Sequence, residues 1–330
     1  MPLAKSDVKN VEIGLSTLQL NFAENEIRET GFEDLLDSGQ VLEHTLKHIA
    51  AAEQYGIELF CVNALFSRSL AHQTLPELFR QAAQMTERIK LMATGPNLVC
   101  DRPKVIFQQF EALERDYPGR MELSLNRDSF GIGMGMLYPT EVEANAAFNE
   151  RLDIWSELLA ASASKPKVWI DVEVQSEAVL QAARHQIPLQ LQSKWGNPLE
   201  FQPLADLYYQ AISRFGDRNL PLSVQVLGLV GEDQATIEEV AFEVWRHRMP
   251  KSTPLVEART EFDRQMRCGG LFVGNPVNVA KQLAQVVEHF GLHRIVMRYP
   301  CGLACDHYNM EHVRLFGTEV IPLVREFLTD

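Results

Sequence analysis

What most constrains this chain is an alternation that runs its whole length: short apolar runs separated by long amphipathic stretches. Eight runs read as strands, at Val11–Leu20, Glu58–Leu65, Ile89–Leu98, Met121–Asn126, Val168–Val174, Pro188–Gln192, Leu222–Val230 and Arg294–Tyr299. Each is rich in Val, Ile, Leu or Phe, the composition of strands buried in a parallel sheet. Helical patterns lie between them, at Gly39–Tyr55, Leu75–Arg88, Lys104–Asp116, Glu141–Ala160, Glu177–His185, Pro203–Phe215, Asp233–Arg248, Val277–Phe290 and Glu311–Leu328. In the first of these, Val41, Leu42, Thr45, Leu46, Ile49 and Ala52 recur at helical spacing, with Glu43, Lys47 and Glu53 on the wet side. Tyr55-Gly56, Phe215-Gly216 and Phe290-Gly291 each put glycine where a left-handed C-cap needs it. Strands joined by crossover helices pair in parallel, and eight such units close a TIM-type (β/α)8 barrel. An open doubly wound sheet is the rival. It calls for a glycine-rich first turn, and Asn21–Ser38 contains no G-x-G-x-x-G.

The expectation is one barrel domain over residues 1–330, with an excursion after the seventh strand. Residues 249–270 carry Pro250, Pro254, a dense run of charges and Gly269-Gly270. They read either as a mobile lid or as a short surface helix, Val256–Met266. The 330 residues carry 31 Lys+Arg against 44 Asp+Glu, a net charge of −13. That acidity, with no basic run, argues against nucleic-acid or anionic-membrane partners. No stretch of about 18 apolar residues and no signal peptide is legible, so a cytoplasmic protein is expected. Five scattered cysteines are no disulfide framework.

In such a barrel the chemistry sits at the carboxyl ends of the strands. Arg127 follows the fourth strand, where a bidentate cation suits a phosphate or carboxylate; the simpler reading is a salt bridge to Asp128 or Glu173. Gln175-Ser176 opens a helix, which offers backbone N–H groups and a hydroxyl to an anion, or merely a cap. Asn126–Gly135 is a glycine-punctuated loop that admits either a planar ligand or a tight turn. Cys301, Cys305, Asp306 and His307 lack the spacing of a zinc module, so no metal is expected.

The stretches Arg88–Gly95, Arg102-Pro103, Glu111–Glu114 and Pro118–Arg127 resemble the bacterial luciferase-like flavin monooxygenase family. Ser176–Leu191, Gly274–Ala280 and Leu315–Pro322 are similar to its later units. The resemblance implies a barrel binding FMN, or in some members a deazaflavin, that oxidises a small-molecule substrate with reduced flavin and O2. It further implies a homodimer and a separate reductase supplying the flavin. Carried over, it makes Arg127, Gln175 and Ser176 the phosphate holders and puts Thr94, Gly95 and Asn126 near the ring. Thr94-Gly95 falls where the family often has a cis peptide. Three departures stand out. The family's Glu-His-His after the second strand reads Val62-Asn63-Ala64-Leu65, leaving Asn63 at the reacting edge. Its glycine-flanked arginine reads Ser124-Leu-Asn-Arg-Asp128, and the connection Ala160–Pro166 is short. An amide cannot act as a general base at neutral pH. The alternative is therefore a non-catalytic flavin-binding relative or partner subunit.

Overall fold

The computed structural model describes residues 8–19, 38–63, 74–97, 102–127, 140–193, 196–216, 219–246, 249–250, 252–301 and 306–329. Its strands are β1 (Glu12–Gln19), β2 (Leu59–Asn63), β3 (Lys90–Asn97), β4 (Met121–Asn126), β5 (Lys167–Val172), β6 (Leu189–Gln192), β7 (Leu222–Val230), β8 (Phe272–Gly274) and β9 (Arg294–Cys301). Strands β1 to β6 lie side by side in sequence order, β7 pairs with β6 and β9, and β9 returns to β1. This is a closed eight-stranded parallel barrel surrounded by helices, with the short β8 added to β7. The helices are α1 (Ser38–Gln54), α2 (Thr74–Met85), α3 (Pro103–Asp116), α4 (Glu141–Ala161), α5 (Ser176–Arg184), α6 (Gln202–Phe215), α7 (Gln234–Arg246), α8 (Leu255–Arg267), α9 (Pro276–Phe290), α10 (Asp306–Leu315) and α11 (Ile321–Phe327).

The residues gather into two compact units. The first comprises Cys61–Gln192 and Phe201–Ser223, the second Pro2–Phe60, Ser193–Glu200 and Val224–Asp330. In the first, β4 and β5 run in register with Glu122 opposite Lys167, Ser124 opposite Trp169 and Asn126 opposite Asp171. One face of these strands is therefore polar, and the other carries Leu123, Leu125, Val168, Ile170 and Val172, all buried. Side-chain bonds run along the polar face: Trp169 donates to Glu122 at 2.7 Å and Gln190 to Asp171 at 2.8 Å. In the second unit β1 and β9 pair over eight residues, from Glu12–Arg294 to Gln19–Cys301, and the buried Arg294 is ion-paired with Glu12.

The eight expected strands are present, and β4 and β7 have the expected bounds. The ninth, β8, is an addition. Of the two readings of residues 249–270, the helix holds: α8 buries Ala258, Phe262 and Gln265 and exposes Leu255 and Val256. The expected last helix is broken by a π turn at Phe316–Val320, just before Pro322. Proline has no N–H to give the preceding turn, and the wider turn absorbs the mismatch. Gly291 caps α9 in the left-handed conformation at φ 62°, as expected. Gly216 ends α6 at φ 145°, outside that well.

Candidate active site

In the first unit six of the seven expected site residues lie at the carboxyl ends of β3, β4 and β5, and Asn63 lies at the end of β2. Thr94 on β3 stands opposite Ser124 on β4, and both hydroxyls are buried without a hydrogen-bond partner. Asn97 stands opposite Asn126, so three steps on β3 match two on β4. The extra residue falls within Gly95-Pro96, where proline cannot donate to the ladder and a bulge is the ordinary outcome. Among the described residues no peptide bond is cis.

Arg127 leaves β4 with its side chain 5% exposed and ion-paired with Glu141, the first residue of α4. The simpler reading of Arg127 named the wrong described partner: the pair is with Glu141, not Glu173, while Asp128 lies outside the described residues. The guanidinium Nε is buried with no partner, so part of its donor fork is unused. From the neighbouring strand β5 the chain passes through Glu173 and Val174, whose N–H groups both donate to Gln175 Oε1, at 3.3 and 3.2 Å. Gln175 is the N-cap residue of α5, and Ser176 is the exposed first helical residue. Gln175 thus shapes the turn with its amide oxygen, and its amide nitrogen is the end suited to an anion. Asn63 ends β2 and Gly95 sits in the β3 bulge, and neither has a described side chain.

The structure adds groups that the residue-by-residue reading missed. Asp171, buried opposite Asn126, accepts from Gln190 at 2.8 Å and from Gln192 at 2.5 Å. Ser223 in turn donates to Gln190 Oε1 at 3.2 Å. The signal was a polar residue at every second position within apolar runs: Glu122-x-Ser124-x-Asn126, Gln190-x-Gln192 and Ser223-x-Gln225.

In the second unit a cavity is lined by Leu227, Leu229, Val244, Trp245, Phe262 and Arg298, the last its one charged lining residue. Arg298 donates to Gln225 Oε1.

Another grouping looks chemical and is structural. Ser156 Oγ lies 2.8 Å from His185 Nδ1, and Asp153 lies 3.5 Å from Nε2. However, the Ser156 hydroxyl donates to Leu152 O at 3.0 Å, so Oγ is an acceptor toward His185 and not an activated nucleophile. Burial lowers the His185 pKa against the opposing pull of Asp153. Among the described residues no group of three metal-binding side chains occurs, and no helix is long and apolar enough to cross a membrane.

No protein-family model matches the sequence, and no curated protein sequence does either. Solved structures do match in fold. Monooxygenase RslO1 from Streptomyces bottropensis superposes with a TM-score of 0.75 at 16% identity, covering 94% of this chain and 99% of that one. The oxygenating constituent of 3,6-diketocamphane monooxygenase from Pseudomonas putida, a type II Baeyer-Villiger enzyme in complex with FMN, gives 0.68 at 13% identity, covering 94% and 98%. An F420-dependent secondary alcohol dehydrogenase holding an F420–acetone adduct gives 0.69 at 12% identity, covering 96% and 99%. The shared feature is the barrel itself, over nearly the whole of each chain.

Proposed function

We propose that this chain, with the barrel of the luciferase-like enzymes, is a flavin-dependent monooxygenase that oxidises a small organic molecule with O2. FMN is the cofactor and a deazaflavin the alternative, with reduced flavin arriving from a separate reductase. The observation that carries the reading is Arg127, a buried cation with an unpartnered Nε at the carboxyl end of β4. A desolvated guanidinium facing a strand end is suited to phosphate, which accepts its paired N–H groups. Ser176 and the Gln175 amide nitrogen, from the adjacent strand end, are the further phosphate donors. The unpartnered hydroxyls of Thr94 and Ser124 are spare hydrogen-bonding capacity on the same polar face, as a polar ring system requires.

Reduced flavin, when bound, supplies the electrons that activate O2. The chain's part is to hold the phosphate, orient the ring and place a proton-bearing group. Asn63 can hydrogen-bond but not accept a proton at neutral pH. Asp171, oriented by Gln190 and Gln192, is the buried carboxylate at the same ends of the strands. The Asn63 substitution also favours a second reading, a flavin-binding relative without turnover.

Titrating FMN with the protein, followed by quenching of flavin fluorescence, tests the reading. Wild type quenches, and Arg127→Ala weakens binding at least about tenfold, the scale of a lost charge-assisted contact. Equal affinity in the two proteins would refute the assignment of Arg127. Oxygen consumption with reduced FMN then separates the readings: uptake that exceeds free flavin's on adding a substrate marks the enzyme, and bound flavin without it marks the non-catalytic relative.

A further inference from the structure

Arg127 and Glu141 form an unequal pair. The guanidinium is 5% exposed and the carboxylate 78%. Removing every anion from Arg127 would leave a desolvated charge unpaired, which is far more costly than a surface ion pair is stabilising. Releasing Glu141 costs little, because its carboxylate already faces water. Helix α4 does not depend on it either. Its N-terminus is held by Thr140 and Glu143: the Glu143 carboxylate accepts from Thr140 N at 3.1 Å and from Thr140 Oγ1 at 2.8 Å, and Glu143 N donates back to Thr140 Oγ1 at 3.3 Å. Glu141 is thus a detachable counter-ion on a cation that requires one. It also leaves Nε unused, so a ligand with more acceptor oxygens has a donor direction to gain.

We propose that Glu141 is an internal competitor for the flavin phosphate: it neutralises Arg127 until the cofactor arrives and yields the guanidinium to it. The inference rests on the reading above that Arg127 holds the phosphate. A phosphate dianion displaces the carboxylate because it brings more charge and more acceptors to the same fork. A flavin without phosphate has nothing to exchange for Glu141 and takes no benefit from Arg127. FMN affinity is then a difference between two ion pairs. The cofactor binds more weakly than the buried arginine alone would make it, which suits a flavin that must arrive reduced and leave after each cycle.

The test is a set of fluorescence-quenching titrations with FMN and with riboflavin on wild type, Glu141→Gln, Arg127→Ala and the double variant. Glu141→Gln is expected to tighten FMN about tenfold and to leave riboflavin unchanged. In the Arg127→Ala background the same change should have no effect, since the two residues act through one contact. Unchanged or weaker FMN binding by Glu141→Gln, with Arg127→Ala impaired, overturns the competitor role and leaves the phosphate assignment standing. Tightening shared equally by riboflavin overturns it too. Undiminished FMN binding by Arg127→Ala removes the phosphate assignment and the competitor with it, as does an absence of binding by every protein. Where Glu141→Gln lowers the melting temperature too far for titration, Glu141→Asp withdraws the carboxylate by one methylene and should shift FMN in the same direction by a smaller factor.

Discussion

His312 accepts the Val230 N–H on Nδ1 at 3.0 Å and is fully buried. The proton of the neutral ring is therefore on Nε2, which has no partner. Around it, His48 Nδ1 lies 2.6 Å from the Tyr299 hydroxyl, and the Tyr299 and His312 rings are 4.8 Å apart. Protonating His312 would charge a buried ring and destroy its acceptor at once. Burial first, and the charge of His48 second, push its pKa down to about 3. With an unfolded value near 6.5, the unfolded chain binds more protons between these limits. The contribution of His312 is thus whole above about pH 6.5 and is lost progressively as pH falls toward 3. His312→Leu, which has no acceptor, should be less stable at pH 7 by roughly 1–3 kcal/mol, through the stranded Val230 N–H. Its stability should then decline less steeply than wild type from pH 7 to pH 5. Thermal melts at the two pH values check this, and parallel declines would contradict it. None of this was legible in the sequence, where His312 is one histidine among nine. Arg127 was legible, because its place after an apolar run fixes it at a strand end. Its partner was not, because Glu141 lies fourteen residues on and no local pattern links them.

At the scale of elements, apolar runs and glycine stops located eight strands, since each has enough residues to show its period. Strand β8 has three residues, too few for any periodicity to appear, and it pairs only with Gly228–Val230 at the end of β7. The crowding there is visible at Gly228, opposite Phe272. A Cβ added at Gly228 would meet Phe272 O at 2.3 Å and Met297 Cε at 1.9 Å. The methionine can turn aside, but the carbonyl belongs to the sheet. Gly228→Ala should therefore destabilise by about 1–3 kcal/mol or more, read as a lower denaturant midpoint. Helix α8 was ambiguous for a different reason. Its exposed face is so charged that it reads as a loop, and the apolar side that anchors it is little more than Ala258 and Phe262. The alternating polar positions of β4, β6 and β7 lie inside runs whose apolar residues alone identified them as strands. They are the side of the strands that carries the candidate chemistry.

For the whole molecule, the consequential feature is the pairing of β1 with β9. Arg294 and Glu12 are 282 residues apart in the chain, yet they form one ion pair within an eight-residue ladder. A ribosome adds roughly 5–20 residues per second, so β1 emerges about 15–55 s before its last partner is made. Throughout synthesis that edge is an unpaired strand, the kind of template on which chains associate wrongly. Its own residues guard it: Glu12, Ser16 and Thr17 interrupt the apolar set, and the strand begins with a charge that Arg294 will pair. Stalled nascent chains ending before Arg294 should accordingly lose β1 to protease, and chains carried past Cys301 should retain it. Protection at equal rates in both would show that β1 is held by other elements. The last strand made thus sets when the first becomes safe, and translation speed between β1 and β9 becomes a determinant of yield.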